Sequence, residues 1–320
     1  MDDGNSVKRR RTANNSSASV VFEYAGEDCF IPKNVVRVKF HPSVVQVPPQ
    51  AFRLCMQLRE VVFNEGLEEI SSRAFQQCTS LESVALPSSV TEIDEEAFGV
   101  CCSLREVTLN NGLRKIGMWA FQDCISLECI VLPYTVNQID QYVFKKCITL
   151  REVVLNEGIE NIPESLFEDC LSLSDITLPS STRTISCWAF SGCTSLPRIV
   201  FPSSVTDVGS YVLDGCNNLR EVALHGGITQ QIASNAFYGP RSLYVLQFPT
   251  ISSSFNALSC DWTELNNKFD EIRGVVERRD GDLCVPSSSL EWRDGEWDEG
   301  WDNIRTIFNK IEMLISLSTK

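Results

Sequence analysis

Histidine is nearly absent from this chain, whose 320 residues carry only His41 and His225. There is also no Gly-rich phosphate loop behind a strand, no G-x-S-x-G elbow and no C-x-x-C pair. The short patterns of nucleotide binding, of an activated serine and of a paired-cysteine zinc site are therefore missing. No apolar run reaches the roughly 18 residues that a membrane-spanning helix needs. The opening MDDGNSVKRRR has two aspartates and no apolar stretch, so no signal peptide is expected. Positive charge is scarce: 28 Lys and Arg stand against 42 Asp and Glu, a net charge of −14. Phosphate neutralisation needs clustered cations, which argues against nucleic acid and for a basic partner.

Cysteine, by contrast, is plentiful, with 14 residues. In a long chain without an export signal these are expected to be reduced thiols. Eight of them, Cys55, Cys78, Cys101, Cys124, Cys147, Cys170, Cys193 and Cys216, follow one another at 23-residue intervals. That interval organises the whole chain. LREVVFNEGLEEISSRAFQQC at 58–78 returns as LREVVLNEGIENIPESLFEDC at 150–170, and cutting at each recurrence gives nine tandem units over 35–249. They begin at Val35, Leu58, Leu81, Leu104, Leu127, Leu150, Leu173, Leu196 and Leu219, and only the last is 24 residues long.

Counting places from each starting residue, places 4 and 6 are apolar (Val61 and Phe63, Val107 and Leu109, Val153 and Leu155), an alternation that predicts a short strand. Ile recurs at place 13, Phe at place 18 and Cys at place 21. The Ala-Phe pair and the Cys three residues on would share one face of a helical turn. Each unit thus reads as strand, turn and short helical or 3₁₀ segment, whose apolar face is covered only by its neighbours. The cysteine column cannot converge on a metal and reads as small buried thiols. The two histidines, both at place 7, lie eight strands apart, roughly 38 Å at ~4.8 Å per strand, so they cannot share a site. No catalytic set emerges, and neither a cofactor nor a metal is implied.

The unit L-x-x-V-x-L-P-S-S-V-T-E-I-x-x-x-A-F-x-x-C-x-S resembles the BspA-like leucine-rich repeats. The resemblance implies an α/β leucine-rich-repeat solenoid, curved, with a parallel sheet on its concave face and the helical or 3₁₀ segments on the convex side. It also implies protein binding, with relatives among bacterial surface adhesins and in microbial eukaryotes. A second period lies above the first: units at 58, 104, 150 and 219 follow the strand with NEG, NNG, NEG and HGG, those at 81, 127, 173 and 196 with PSS, PYT, PSS and PSS. Asn-Gly turns tolerate positive φ and Pro fixes φ, so the two classes leave the sheet differently.

Places 2, 3 and 5 are expected to face away from the core. Place 2 alternates in sign (Arg59, Glu82, Arg105, Glu128, Arg151) and can pair with itself across neighbouring strands. Place 3 holds Glu60, Glu106, Glu152, Asp175 and Glu221, and place 5 is small or β-branched, including Val62, Thr108 and Val154. These eight residues are the candidate docking surface for a protein or extended peptide. Outside the array, residues 1–19 are expected to be disordered, with Lys8, Arg9, Arg10 and Arg11 as a nuclear-localisation candidate. Residues 20–34 should form a capping hairpin. Residues 250–320 should form a helical, Trp-rich cap or tail, with helices starting at Asp261 and Asp302 and with Trp292, Trp297 and Trp301 among acids. The leading expectation is a non-enzymatic interaction module inside the cell, nuclear or cytoplasmic, and the alternative is a cell-surface adhesion protein. Oligomeric state is left open.

Overall fold

A computed structural model describes residues 21–26, 29–224, 231–233 and 236, together with the strands Val245–Phe248, Glu277–Arg279 and Asp282–Pro286. The repeated unit is one coil of a solenoid with three hydrogen-bonded sides. On the first side, strands such as Ser83–Ala85, Glu106–Thr108, Glu152–Val154 and Asp175–Thr177 bury their middle residue and expose the two flanking ones. They pair in parallel with partners 23 residues on, Ser83 with Glu106 and Glu152 with Asp175. The second side is a ladder of two-residue strands, with Ile70, Ile93 and Ile116 in register and fully buried. Towards the C-terminal end the pairing step becomes 24, Asp207 with Gln231, following the longer last unit.

Proline accounts for one break in each of two ladders. At place 14 the N–H donates to the place-13 carbonyl of the preceding coil, as in Asp94 to Ile70 (2.9 Å), Gly117 to Ile93 (2.7 Å) and Asp140 to Ile116 (3.0 Å). Pro163 has no N–H to give Ile139, and there the second-side sheet divides between Gln138–Ile139 and Asn161–Ile162. In the same way Pro197 cannot continue the place-2 bonds that run from Ser174 to Arg151 (3.1 Å), and the first-side sheet ends before Arg198–Phe201.

The third side corrects the expected helical segment: among the described residues it holds turns and no helix. Places 16 and 20 are left-handed in coil after coil, for example Arg73 (φ 59°) and Gln77 (φ 61°), then Glu96 (52°) and Val100 (61°). An α-helix tolerates neither. Places 16, 18 and 20 send their N–H groups to the next coil, Arg73 to Glu95, Phe75 to Ala97 and Gln77 to Gly99, each at 2.8 Å. Places 17, 19 and 21 turn back three residues, as in Cys78 to Phe75 (3.1 Å). The physical reason is spacing. Coils are ~4.8 Å apart along a sheet, whereas packed helices need roughly 8–10 Å. The phenylalanines at place 18, from Phe52 to Phe190, stack almost parallel with centroids 5.1–5.9 Å apart, too close for a helix in each coil.

The core runs along the axis. Phe75, Phe98, Phe121, Phe144, Phe167 and Phe190 are fully buried, as are all eight ladder cysteines. Each thiol from Cys78 to Cys216 donates to the Phe carbonyl of the preceding coil at 3.1–3.3 Å. Burial pushes these thiols well above their ordinary pKa, Cys216 to about 12.

The pairwise period has a hydrogen-bonding cause. In the NEG and NNG coils the Asn carbonyl accepts the amide of the Gly two residues on, Gly112 N–H to Asn110 (2.5 Å) and Gly158 N–H to Asn156 (2.7 Å). The Asn156 amide reaches back to the carbonyls of Pro133 and Val136 at 2.8 and 3.0 Å. These glycines are not at positive φ, contrary to expectation. Gly112 is required by space, because a Cβ there would come within 2.7 Å of the Ser88 carbonyl oxygen. The Glu of each NEG is met by the serines of the following PSS, Ser88 on Glu65 (3.0 Å) and Ser180 on Glu157 (2.8 Å). The hydroxyl of Ser180 holds the Glu157 carboxyl below its ordinary pKa.

Two end structures differ from the expected ones. Val21–Tyr24 is a single strand parallel to Arg37–Phe40, so the N-terminal segment is a partial coil and not a hairpin. Tyr24, 1% exposed, closes the ring column against Phe40 (5.1 Å) and Phe52 (5.2 Å). At the other end Val245–Phe248 continues the parallel ladder, and the antiparallel pair Glu277–Arg279 and Asp282–Pro286 terminates it. The helices expected from Asp261 and Asp302, and Trp292, Trp297 and Trp301, lie outside the described residues.

Candidate protein-binding face

Alternation along the first-side strands puts places 3 and 5 outward while place 4 goes into the core. Glu106, Thr108, Glu152, Val154 and Asp175 are exposed, and Val62 is 44% exposed. Glu60 and Glu221 stand apart from the other acids because each already has a cation. Arg37 grips Glu60 through two nitrogens, at 2.7 and 2.8 Å, and that hydrogen bonding raises the pKa of the guanidinium. Arg198 lies 3.0 Å from Glu221. Reading the place-3 column from Glu60 had left Arg37 out of it.

Glu106, Glu152 and Asp175 have no ion pair among the described residues. Glu152 and Asp175 are register partners, two carboxylates directly opposite each other on adjacent strands. Like charges so placed repel. On the other flank of Glu152 stands exposed Cys129, and beside it runs an apolar strip in which Val131 is 59% and Val154 43% exposed.

The alternating place-2 column behaves otherwise than expected. Arg59, Glu82, Arg105, Glu128 and Arg151 are linked through their backbones, Arg105 N–H to Glu82 at 2.9 Å and Arg151 N–H to Glu128 at 2.9 Å. No side-chain ion pair joins them among the described residues. All five are exposed, so water competes for each charge and pairing gains little. Arg59 and Glu82 instead help to line a shallow open depression with Val36, Arg37, Glu60 and Ser83.

His41 Nδ1 lies 2.7 Å from Ser43 Oγ and accepts the Ser43 N–H at 3.2 Å. No acid joins this exposed pair among the described residues, so it closes a turn without forming a triad. His225 and the arm Lys8, Arg9, Arg10 and Arg11 lie outside the described residues. Among those described, no cluster of three His, Cys, Asp or Glu is placed to hold a metal, and no helix is long and apolar enough to cross a membrane.

One set of residues went unnoticed in the sequence. Place 16, on the third side, carries Trp119, Tyr142, Trp188 and Tyr211, stacked as two partly exposed pairs. Their recurrence at the 23-residue interval was the available signal, passed over because place 16 had no fixed residue type.

The family described as BspA type Leucine rich repeat region matches residues 23–151 and 138–259, in six copies. Among solved structures, a leucine-rich repeat protein from Bacteroides ovatus ATCC 8483 is 21% identical, with 72% of this chain and 69% of that one covered and a TM-score of 0.58, a likeness of fold alone. The T. pallidum leucine rich repeat protein is 30% identical over 55% of this chain and 83% of its own, with a TM-score of 0.50. A leucine rich cell surface protein from Faecalibacterium prausnitzii A2-165 is 26% identical, covering 59% and 60%, with a TM-score of 0.43. No curated protein matches the sequence.

Proposed function

The chain belongs to the BspA-type leucine-rich-repeat family, and from that premise we propose that it is a non-enzymatic interaction module docking a basic protein or extended peptide on its first-side strands. The observation that carries this reading is the Glu152–Asp175 register pair, exposed and without a cation. A fold that places two carboxylates opposite each other gives up some stability, and a Lys or Arg from a partner recovers it while gaining a charge-assisted contact. Glu106 is two strands away from Glu152, roughly 10 Å, too far for one small ligand to serve all three acids. Val131, Val154 and Thr108 supply the apolar contact between them.

Glu60 and Glu221 drop out as docking carboxylates, since a partner would have to displace Arg37 or Arg198. The test is affinity capture with the intact chain and with Glu106→Lys/Glu152→Lys as parallel baits. Partners that bind this face are retained by the first and lost from the second, while circular dichroism stays the same. An identical set of bound proteins on both baits would discard the strand face as the docking surface.

A further inference from the structure

The exposed acids of the strand face stand within reach of a basic run on the same chain. Residues 7–12 read VKRRRT, four consecutive cations in a protein whose net charge is −14. The first described residue, Val21, is in register with Arg37 and through it with Glu60. It therefore stands at place 3, at the head of the column that continues through Ser83 to Glu106. The chain enters the first side in line with the place-3 acids.

Coils are ~4.8 Å apart, so Glu106 lies four steps, ~19 Å, from Val21, and Glu152 lies six steps, ~29 Å. Ten peptide units join Arg11 to Val21 and span up to ~33–36 Å; thirteen join Lys8 to it and span up to ~43–47 Å. Both acids fall inside these limits. The spacing agrees as well: Arg11 and Lys8 are three residues apart, roughly 10 Å when extended, and Glu106 and Glu152 are two coils apart, also roughly 10 Å. The route between is open. A depression of about 520 Å³ crosses the three coils that separate Val21 from Glu106, lined by their places 2 and 3: Val36 and Arg37, Arg59 and Glu60, Glu82 and Ser83. Val21 at its head is 47% exposed. Beyond it, over the coils starting at 104, 127, 150 and 173, places 2 and 3 hold Glu106, Glu128, Glu152 and Asp175 against Arg105 and Arg151. The excess is negative.

We propose that the VKRRRT run docks in cis on this face, with Arg11 at Glu106 and Lys8 at Glu152, and occupies it until a basic partner displaces it. The proposal rests on the strand face being a docking surface for basic segments. A short link holds the run at an effective concentration on the order of mM, so contacts too weak to retain a separate peptide still fill the site. A partner then binds only the fraction of chains whose face is vacant, and its apparent affinity falls by that fraction. The stretch EWRDGEWDEGWD at 291–302 has the wrong sign to compete for these acids.

The first measurement treats the full chain at low salt with a carbodiimide, which joins an amine to a carboxylate in contact with it, and locates the joins by mass spectrometry. In the monomer Lys8 should be joined to a place-3 acid, Glu152 above all. The join should fall at least about tenfold in about 1 M salt, where screening shortens the reach of charge to about 3 Å. Lys145 and Glu168, 2.8 Å apart, should be joined at low salt and serve as the control there. The second measurement titrates the peptide NSVKRRRTA, residues 5–13, N-acetylated and amidated, by calorimetry. Lys8→Ala/Arg9→Ala/Arg10→Ala/Arg11→Ala should bind it at least about fivefold more tightly than the parent, because its face is vacant. Three results would each overturn the proposal: no Lys8 join to these acids while the control forms, Lys8 joins found only between two copies, or equal peptide affinity in the two chains. Glu106→Lys/Glu152→Lys, combined with the four alanines, separates this failure from that of the docking face. Equal affinities that vanish in the combined variant remove only the arm as occupant, whereas peptide binding that survives there removes the face as well.

Discussion

Raising the pH should unfold this protein far more steeply than its surface charge would suggest. The seven thiols from Cys78 to Cys216 are fully buried, and burial raises the pKa of every one. In the unfolded chain they ionise near about 8.5–9. Above that value the unfolded state releases protons that the folded state keeps, so stability is fully present below the unfolded pKa and falls as pH rises towards the folded one. Between about pH 7.5 and 9.5 each thiol contributes a loss of about 0.8–1.4 kcal/mol, so seven opening together contribute about 6–10 kcal/mol. That rivals the whole stability of an ordinary domain, about 5–15 kcal/mol. Cys55 is left out because the charge of Lys33 partly offsets the effect of its burial. The assay is urea unfolding by circular dichroism at the two pH values, under reductant. A Cys124→Ala/Cys147→Ala chain should lose about 2–3 kcal/mol less between them. A parent chain equally stable at both pH values would refute the buried, protonated ladder.

Two further outcomes follow from the packing and the charges. Phe121, fully buried and stacked between Phe98 at 5.5 Å and Phe144 at 5.9 Å, should cost about 3–5 kcal/mol when replaced by Ala, read as a lower urea midpoint; an unchanged midpoint would place it outside the core. Asp175→Asn removes the repulsion with Glu152 and should raise stability by a few tenths to about 1 kcal/mol in thermal unfolding at low salt; a loss of stability would mean that Asp175 has a favourable partner.

The parts of the fold that were legible in sequence are those in which burial selects a residue type. Val and Leu at places 4 and 6, Ile at place 13, Phe at place 18 and Cys at place 21 have to fit against copies of themselves, and the repeat writes that constraint at every coil. The third side was misread because Ala-Phe-x-x-Cys spacing suits a helix and a chain of three-residue turns alike. What separates the two is the handedness of places 16 and 20, and these carry Arg, Glu, Val, Trp, Tyr and Lys as readily as Gly. The left-handed conformation costs each roughly 1–2 kcal/mol, and the hydrogen bonds to the next coil hold it there, so no turn residue marks the position. Part of the candidate face was legible for a different reason: alternation alone exposes Glu106, Glu152 and Asp175. Whether an acid is free depends on what stands one coil away, which is why the pairing of Glu60 with Arg37 went unseen.

The central claim is that the free acids of the strand face draw in a basic partner. Its most direct measurement is the association rate of a captured partner with the parent chain and with Glu106→Lys/Glu152→Lys, over a series of salt concentrations. Screening shortens the reach of the field to about 8 Å near physiological salt, so the parent chain should associate fastest at low salt and slow as salt rises. The folded reversal variant should associate more slowly, with a flattened or inverted salt dependence. If the two chains bind that partner with the same rate and the same salt dependence, the partner is held elsewhere on the solenoid and the claim is contradicted.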